Sequence, residues 1–171
     1  MIEGGIGGNK TQTGLLFERQ TDLESALLQD SEVTIKDDKV YKNGEHIGTL
    51  LQKYKLYTHF LSTRNVDWRE VISKRLLPDE AYFHVKKNRL IIIEKKYQQV
   101  AGSVDEKLQT CGFKINQYRK LCASIPNLEV EYIYIFNDWF KNRSYKDVLE
   151  YIEEVGCSYY FNEIPMEKLG L

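Results

Sequence analysis

The stretch 78–96, PDEAYFHVKKNRLIIIEKK, constrains the fold of this chain more than any other. Residues 81–86 and 89–96 are rich in aromatic and β-branched side chains, and the polar pair Lys87-Asn88 interrupts them as a tight two-residue turn would. The pattern predicts a β-hairpin. Pairing Lys86 with Arg89 across the turn sets His84 opposite Ile91, Ala81 opposite Glu94 and Asp79 opposite Lys96. Directly opposed residues share a face, and so do residues two apart on one strand. Asp79, Glu94 and Lys96 therefore project together, while Glu80 and Lys95 point the other way. A slip of one residue would scatter the set.

Two carboxylates on one face suit a hard cation such as magnesium, which takes oxygen ligands and keeps waters that substrate phosphate oxygens can replace. A metal there would polarise a scissile phosphate and lower the pKa of a bound water. Lys96 would orient the attacking water and offset the charge building on the pentacovalent phosphorus. The backbone carbonyl of Lys95 is a further candidate ligand. A plainer reading makes Asp79 a turn cap and Glu94 with Lys96 a solvated ion pair. The strand context weighs against it, because Ile91, Ile92 and Ile93 run straight into Glu94 and place the carboxylate where a buried strand emerges.

With these residues the chain resembles the PD-(D/E)XK nuclease superfamily, and within it the small type II restriction endonucleases. Pro78-Asp79 matches the first half of the motif and Glu94-Lys95-Lys96 the second. That family's core runs helix, three antiparallel strands, helix, strand, and the chain around the motif can be read in the same order. The resemblance implies an α/β fold with a restriction-endonuclease-like core, a mixed central β-sheet flanked by helices. It implies Asp79 and Glu94 as metal ligands, Lys96 as the catalytic lysine, and Glu18, in GLLFERQTDLESALL, as an acidic residue of the first core helix that faces the site. The implied cofactor is Mg2+ and the substrate double-stranded DNA, cut to 5′-phosphate and 3′-hydroxyl ends. A homodimer spanning a palindromic site would cut both strands. A cognate DNA methyltransferase acting on the same site is the implied partner. The same core also serves resolvases, homing enzymes and repair nucleases; resolvases tend to be smaller and more basic. A catalytically inactive DNA-binding module is the alternative from another class, and the intact Asp79, Glu94 and Lys96 set disfavours it.

Composition fits one domain over residues 1–171: 42% hydrophobic and 29% charged residues is ordinary globular usage. The net charge of −1 and pI near 6.3 argue against a protein that coats nucleic acid non-specifically, yet leave room for a locally basic cleft. Cys111, Cys122 and Cys157 are odd in number and lack C-x-x-C spacing, which disfavours a disulfide framework or a zinc site. No apolar run approaches a membrane span and no signal-peptide pattern opens the sequence, so a cytoplasmic protein without membrane contact is expected. His46, His59 and His84 are scattered, and His84 reads as a wall residue of the cleft or core.

Along the chain, GGIGGNKTQTG lacks the glycine before its lysine that a phosphate loop requires and reads as a flexible arm over 1–11, with Lys10 able to reach a DNA phosphate. Thr11 or Thr13 caps a following helix whose apolar stripe includes Leu15, Leu16, Leu23, Leu27 and Leu28. SEVTIKDDKVYKNGEHIG predicts two short strands with a turn at Asn43-Gly44. Residues 50–61 predict a helix or buried irregular segment, in which Tyr54, Tyr57 and Phe60 belong to a core or interface, and 68–77 a short helix. A helix is expected from near Ser103 or Asp105 to about Cys122, with Ser103 and Glu106 in capping-box spacing. A strand at 130–136, a helix at 145–155 ended by Gly156 and a strand at 157–161 complete the pattern. Gln98, Gln99, Lys107 and Gln109 are candidates for supporting the site or contacting DNA. Asn142 and Arg143 are candidates for reading adenine and guanine edges. The basic clusters 86–89, 114–120 and 141–143 could supply phosphate contacts, although charge runs of this kind more commonly form solvated faces.

Overall fold

The computed structural model describes residues 12–171; the arm at 1–11, including Lys10, lies outside the described residues. Its centre is a seven-stranded mixed sheet in simple sequential order. Strands β1 (Val33–Lys36), β2 (Lys39–Lys42), β3 (Glu45–Leu50), β4 (Glu80–His84) and β5 (Arg89–Lys96) form an antiparallel meander. Then β6 (Glu129–Phe136) lies parallel to β5, and β7 (Ser158–Phe161) parallel to β6. Parallel neighbours need crossovers, and helices supply them. Helices α3 (Val104–Leu108) and α4 (Cys111–Cys122) connect β5 to β6, and α5 (Lys146–Glu154) connects β6 to β7.

Helices α1 (Gln12–Gln20) and α2 (Leu23–Leu27) precede the sheet, and α6 (Met166–Leu169) follows it. The single helix expected at the start is two, because Asp22 leaves the helical conformation and its carboxylate accepts from the Ser25 N–H, starting α2 afresh. The stripe shifts accordingly: Phe17, Leu23 and Leu27 are buried while Leu15, Leu16 and Leu28 are exposed. Where two strands were expected after it there are three. Asp37 and Asp38 both take positive φ, making a second two-residue turn like that at Asn43-Gly44. Residues 50–61 contain a π-helical turn, Leu56–Leu61, burying Leu56, Tyr57, Phe60 and Leu61, whereas Tyr54 is exposed. Of the helix expected at 68–77 only one 3-10 turn forms, Trp68–Glu70. The long helix after β5 breaks between α3 and α4, and the Ser103 side chain makes no cap.

Both faces of the sheet are covered. On one, Ala81, Leu90, Ile92, Tyr132, Tyr134 and Phe136 pack under α4, α5 and the π-helical turn. On the other, Tyr82, Ile91, Ile93, Ile133 and Ile135 pack under Phe17, Leu23, Leu27, Ile164 and Leu169. Strand β5 is thus sealed on both sides, and Leu90 through Ile93 have no exposed surface. Each such side chain contributes about 1.5–3 kcal/mol by burial. Tyr82 fills its place completely: its hydroxyl donates to the Leu169 carbonyl at 3.0 Å, and a Cβ on Gly48 would stand 1.9 Å from its oxygen. Among the described residues no helix is long and apolar enough to cross a membrane.

Candidate active site

The hairpin forms, with a different turn. A two-residue turn of the favoured kind needs positive φ at both central residues. Asn88 has it (φ 46°) and Lys87 does not. The chain instead spends the four residues 85–88, closed by the Asn88 N–H donating to the Val85 carbonyl at 3.1 Å. His84 pairs with Arg89, Tyr82 with Ile91, Ala81 with Ile92 and Glu80 with Ile93. The pairings expected from the sequence are therefore two residues out. One step beyond Glu80–Ile93, the ladder sets Asp79 opposite Glu94 and not opposite Lys96. An even displacement preserves faces. Asp79, Glu94 and Lys96 still share the face covered by α4, and Glu80 and Lys95 share the face covered by α1 and α2.

The side chains converge where β4 begins and β5 ends. Asp79 Oδ2 accepts from the Lys95 backbone N–H at 2.9 Å, which fixes its carboxylate across the strand end. The Lys96 ammonium lies 2.9 Å from Glu94 Oε2, 3.2 Å from the Lys95 carbonyl oxygen and 3.8 Å from Asp79 Oδ2. Glu94 is only 6% exposed, and a carboxylate so far from water needs charge partners. It has two, since Lys114 of α4 brings its ammonium to 3.7 Å of the same Oε2. Lys114 belongs to the 114–120 cluster; nothing in the linear sequence singles it out, because its approach depends on how α4 crosses β5.

A cation already occupies the centre of this arrangement, namely the ammonium of Lys96. The oxygens around it are the two carboxylates and the carbonyl expected to ligate a metal. An all-oxygen donor set is what a hard divalent cation takes. Among the described residues no three His, Cys, Asp or Glu side chains gather as a metal group, so any such ion here would rest on two carboxylates, a carbonyl and water.

The other face does different work. Glu80 is buried and the Lys95 side chain nearly so, their charged ends 3.0 Å apart. Glu80 Oε1 also accepts from the Leu23 N–H at 3.1 Å, at the start of α2, and the Lys95 ammonium reaches the Glu18 carbonyl at 3.5 Å. This pair rivets the helices to the sheet. Burial pushes the Glu80 carboxyl above its ordinary value, with Lys95 opposing the shift. Glu18 lines a cavity of about 550 Å3 together with Arg19, Asp22, Asp79, Lys95 and Lys96, so α1 reaches the site around the end of the sheet.

The remaining candidates are dispersed. Gln98 is buried, its amide nitrogen 3.3 Å from Asp105 Oδ1 and its backbone clasped by Asn137 on both sides. It braces the segment after β5 and is not available for DNA contact. Gln99 is exposed and accepts from the Thr13 hydroxyl; Lys107 and Gln109 are exposed around α3. Asn142, itself exposed, uses its side-chain oxygen to cap the following turn through the Ser144 N–H, and Arg143 beside it is exposed. His84 is a core residue on the α1 face, and neither ring nitrogen has a hydrogen-bond partner among the described residues.

No family model matches the chain, no curated protein matches it, and no solved structure matches it.

Proposed function

We propose that this protein is a magnesium-dependent DNA endonuclease of the PD-(D/E)XK kind, a type II site-specific enzyme working as a homodimer on double-stranded DNA. One observation carries the reading. The Lys96 ammonium sits among oxygens of Asp79, Glu94 and Lys95, so the three motif residues and the carbonyl between them meet at one point. The order of elements supports it: helices, an antiparallel meander, a helix and a parallel strand, with Asp79 just ahead of β4 and Glu94 and Lys96 at the end of β5.

Asp79, Glu94 and the Lys95 carbonyl would hold the ion, which when bound supplies Lewis-acid polarisation of the scissile phosphate and a water of lowered pKa. The chain's own part is positional and electrostatic. Asp79 is pre-set by the Lys95 N–H, so it loses little freedom when it binds. Lys96 orients the attacking water and offsets charge on the phosphoryl oxygens, from a strand end sealed by the core below it. Arg143 and Lys107 are the exposed cations proposed to meet the duplex.

Incubating the protein with phage or plasmid DNA, with magnesium or with a chelator, tests this. Discrete magnesium-dependent bands are expected. A smear would point to a nuclease without site specificity, and intact DNA on several substrates would overturn the enzymatic reading.

A further inference from the structure

We infer that Lys114 is a phosphate-contacting residue, a second cation delivered to the site by α4; this deepens the nuclease reading and rests on it. Helix α4 buries Cys111, Ile115, Tyr118, Leu121 and Cys122 against the sheet. Lys114 lies at the margin of that stripe, one turn after Cys111 and one before Tyr118. Its ammonium comes to Glu94 near the end of β5, and its side chain is a quarter exposed.

The charge arrangement there is unequal. Glu94 Oε2 carries one negative charge with Asp79 nearby, and Lys96 already bonds it directly at 2.9 Å. Lys114, at 3.7 Å from the same oxygen, is beyond hydrogen-bond length. It is held by charge alone, and its three N–H donors find no acceptor among the described residues. Lys96, by contrast, is enclosed by the site's own oxygens. Of the two ammonium groups, Lys114 is the one free to donate to an incoming anion without giving up a hydrogen bond. The ligand that fits beside paired carboxylates yet offers anionic oxygens to a lysine is a phosphodiester. A cation bound between Asp79 and Glu94 would weaken the hold of Glu94 on Lys114 and turn it further toward the phosphate.

The test measures the binding of a short fluorescein-labelled DNA duplex by anisotropy across a salt series, with chelator present so that nothing is cut. Each phosphate contact contributes about 0.9 to the slope of log affinity against log salt. Lys114→Ala is expected to lower that slope by about this amount and to slow magnesium-dependent cleavage at least tenfold, while Lys114→Arg keeps the wild-type slope. An unchanged slope in Lys114→Ala, even with cleavage lost, would overturn the inference and leave Lys114 as a positioning residue for Glu94. If the wild type neither binds nor cuts DNA, the nuclease reading fails and takes this inference with it. Binding and cutting by the wild type with an unaltered Lys114→Ala slope would sink the inference alone.

Discussion

Asp79 and Lys95, sixteen residues apart, are joined by a 2.9 Å hydrogen bond from the Lys95 backbone N–H to Asp79 Oδ2. The motif's first carboxylate is thus held by the main chain between its other two members, so aim and register are set by one contact.

Removing the ammonium or the buried carboxylate of the site should stop the proposed chemistry and leave the chain folded, though less stable, with Lys114 remaining as a charge partner for Glu94 in Lys96→Ala. Lys96→Ala and Glu94→Gln are expected to cut DNA hydrolysis by at least about 100-fold, the usual scale for losing one transition-state-stabilising group. Gel assays read the rate, and circular dichroism should show the wild-type sheet and helix content. Hydrolysis at wild-type rates in Lys96→Ala would remove the lysine from the mechanism.

The neighbouring residues should fail differently. From the hairpin pattern alone, Glu80→Ala and Lys95→Ala look milder than the motif substitutions. Their burial as an ion pair changes that, since either one strands a buried charge at a cost of about 3–5 kcal/mol. Replacing both, as Glu80→Leu with Lys95→Met, should restore most of the stability in urea unfolding. If each single change costs less than about 1 kcal/mol, the rivet role is wrong.

His84 should make the fold acid-sensitive. Burial, followed by Lys87, Arg89 and Lys86, holds its imidazole below the ordinary value of 6.5. As pH falls through 6.5 the unfolded chain takes up a proton that the folded one refuses, so stability is lost on acidification until the lowered folded pKa is reached. Unfolding free energies at successive pH values from neutral downward should decline less steeply in His84→Met than in the wild type. Parallel curves would exclude His84 as the cause.

Gly48→Ala should be among the most damaging small substitutions. The added methyl would collide with the ring of Tyr82, which has no exposed surface and is tied to Leu169. A loss of about 3 kcal/mol or more is expected, visible as a large fall in thermal midpoint. A midpoint near that of the wild type would mean that Tyr82 has room to move.

Much of this was legible in the sequence because β-periodicity is short-ranged. The run from Leu90 into Lys96, the alternation at 130–136 and the helix ended by Gly156 (φ 79°) each declare themselves within a few residues. What escaped depends on conformations that propensity does not fix. Asp37-Asp38 makes a tight turn without glycine, Asp22 restarts a helix in mid-pattern, and Lys87 declines the positive φ that a two-residue turn would demand. Lys114 stood in a basic cluster open to phosphate contacts, but its place beside Glu94 was not legible, because only the crossover of α4 over β5 brings the two together.

The longer turn at 85–88 moved β4 against β5 by two residues and left every functional group on its expected side. The site is therefore governed by parity. Lengthening this turn by two residues with matching slippage of the strands returns an acid and a lysine to each face. An odd slip would hand Asp79 to the side of the rivet and expose Glu80 in its place. An even change in turn length keeps each group on its face but carries Asp79 off the Lys95 N–H, so parity chooses the side and that one contact chooses the place along the strand.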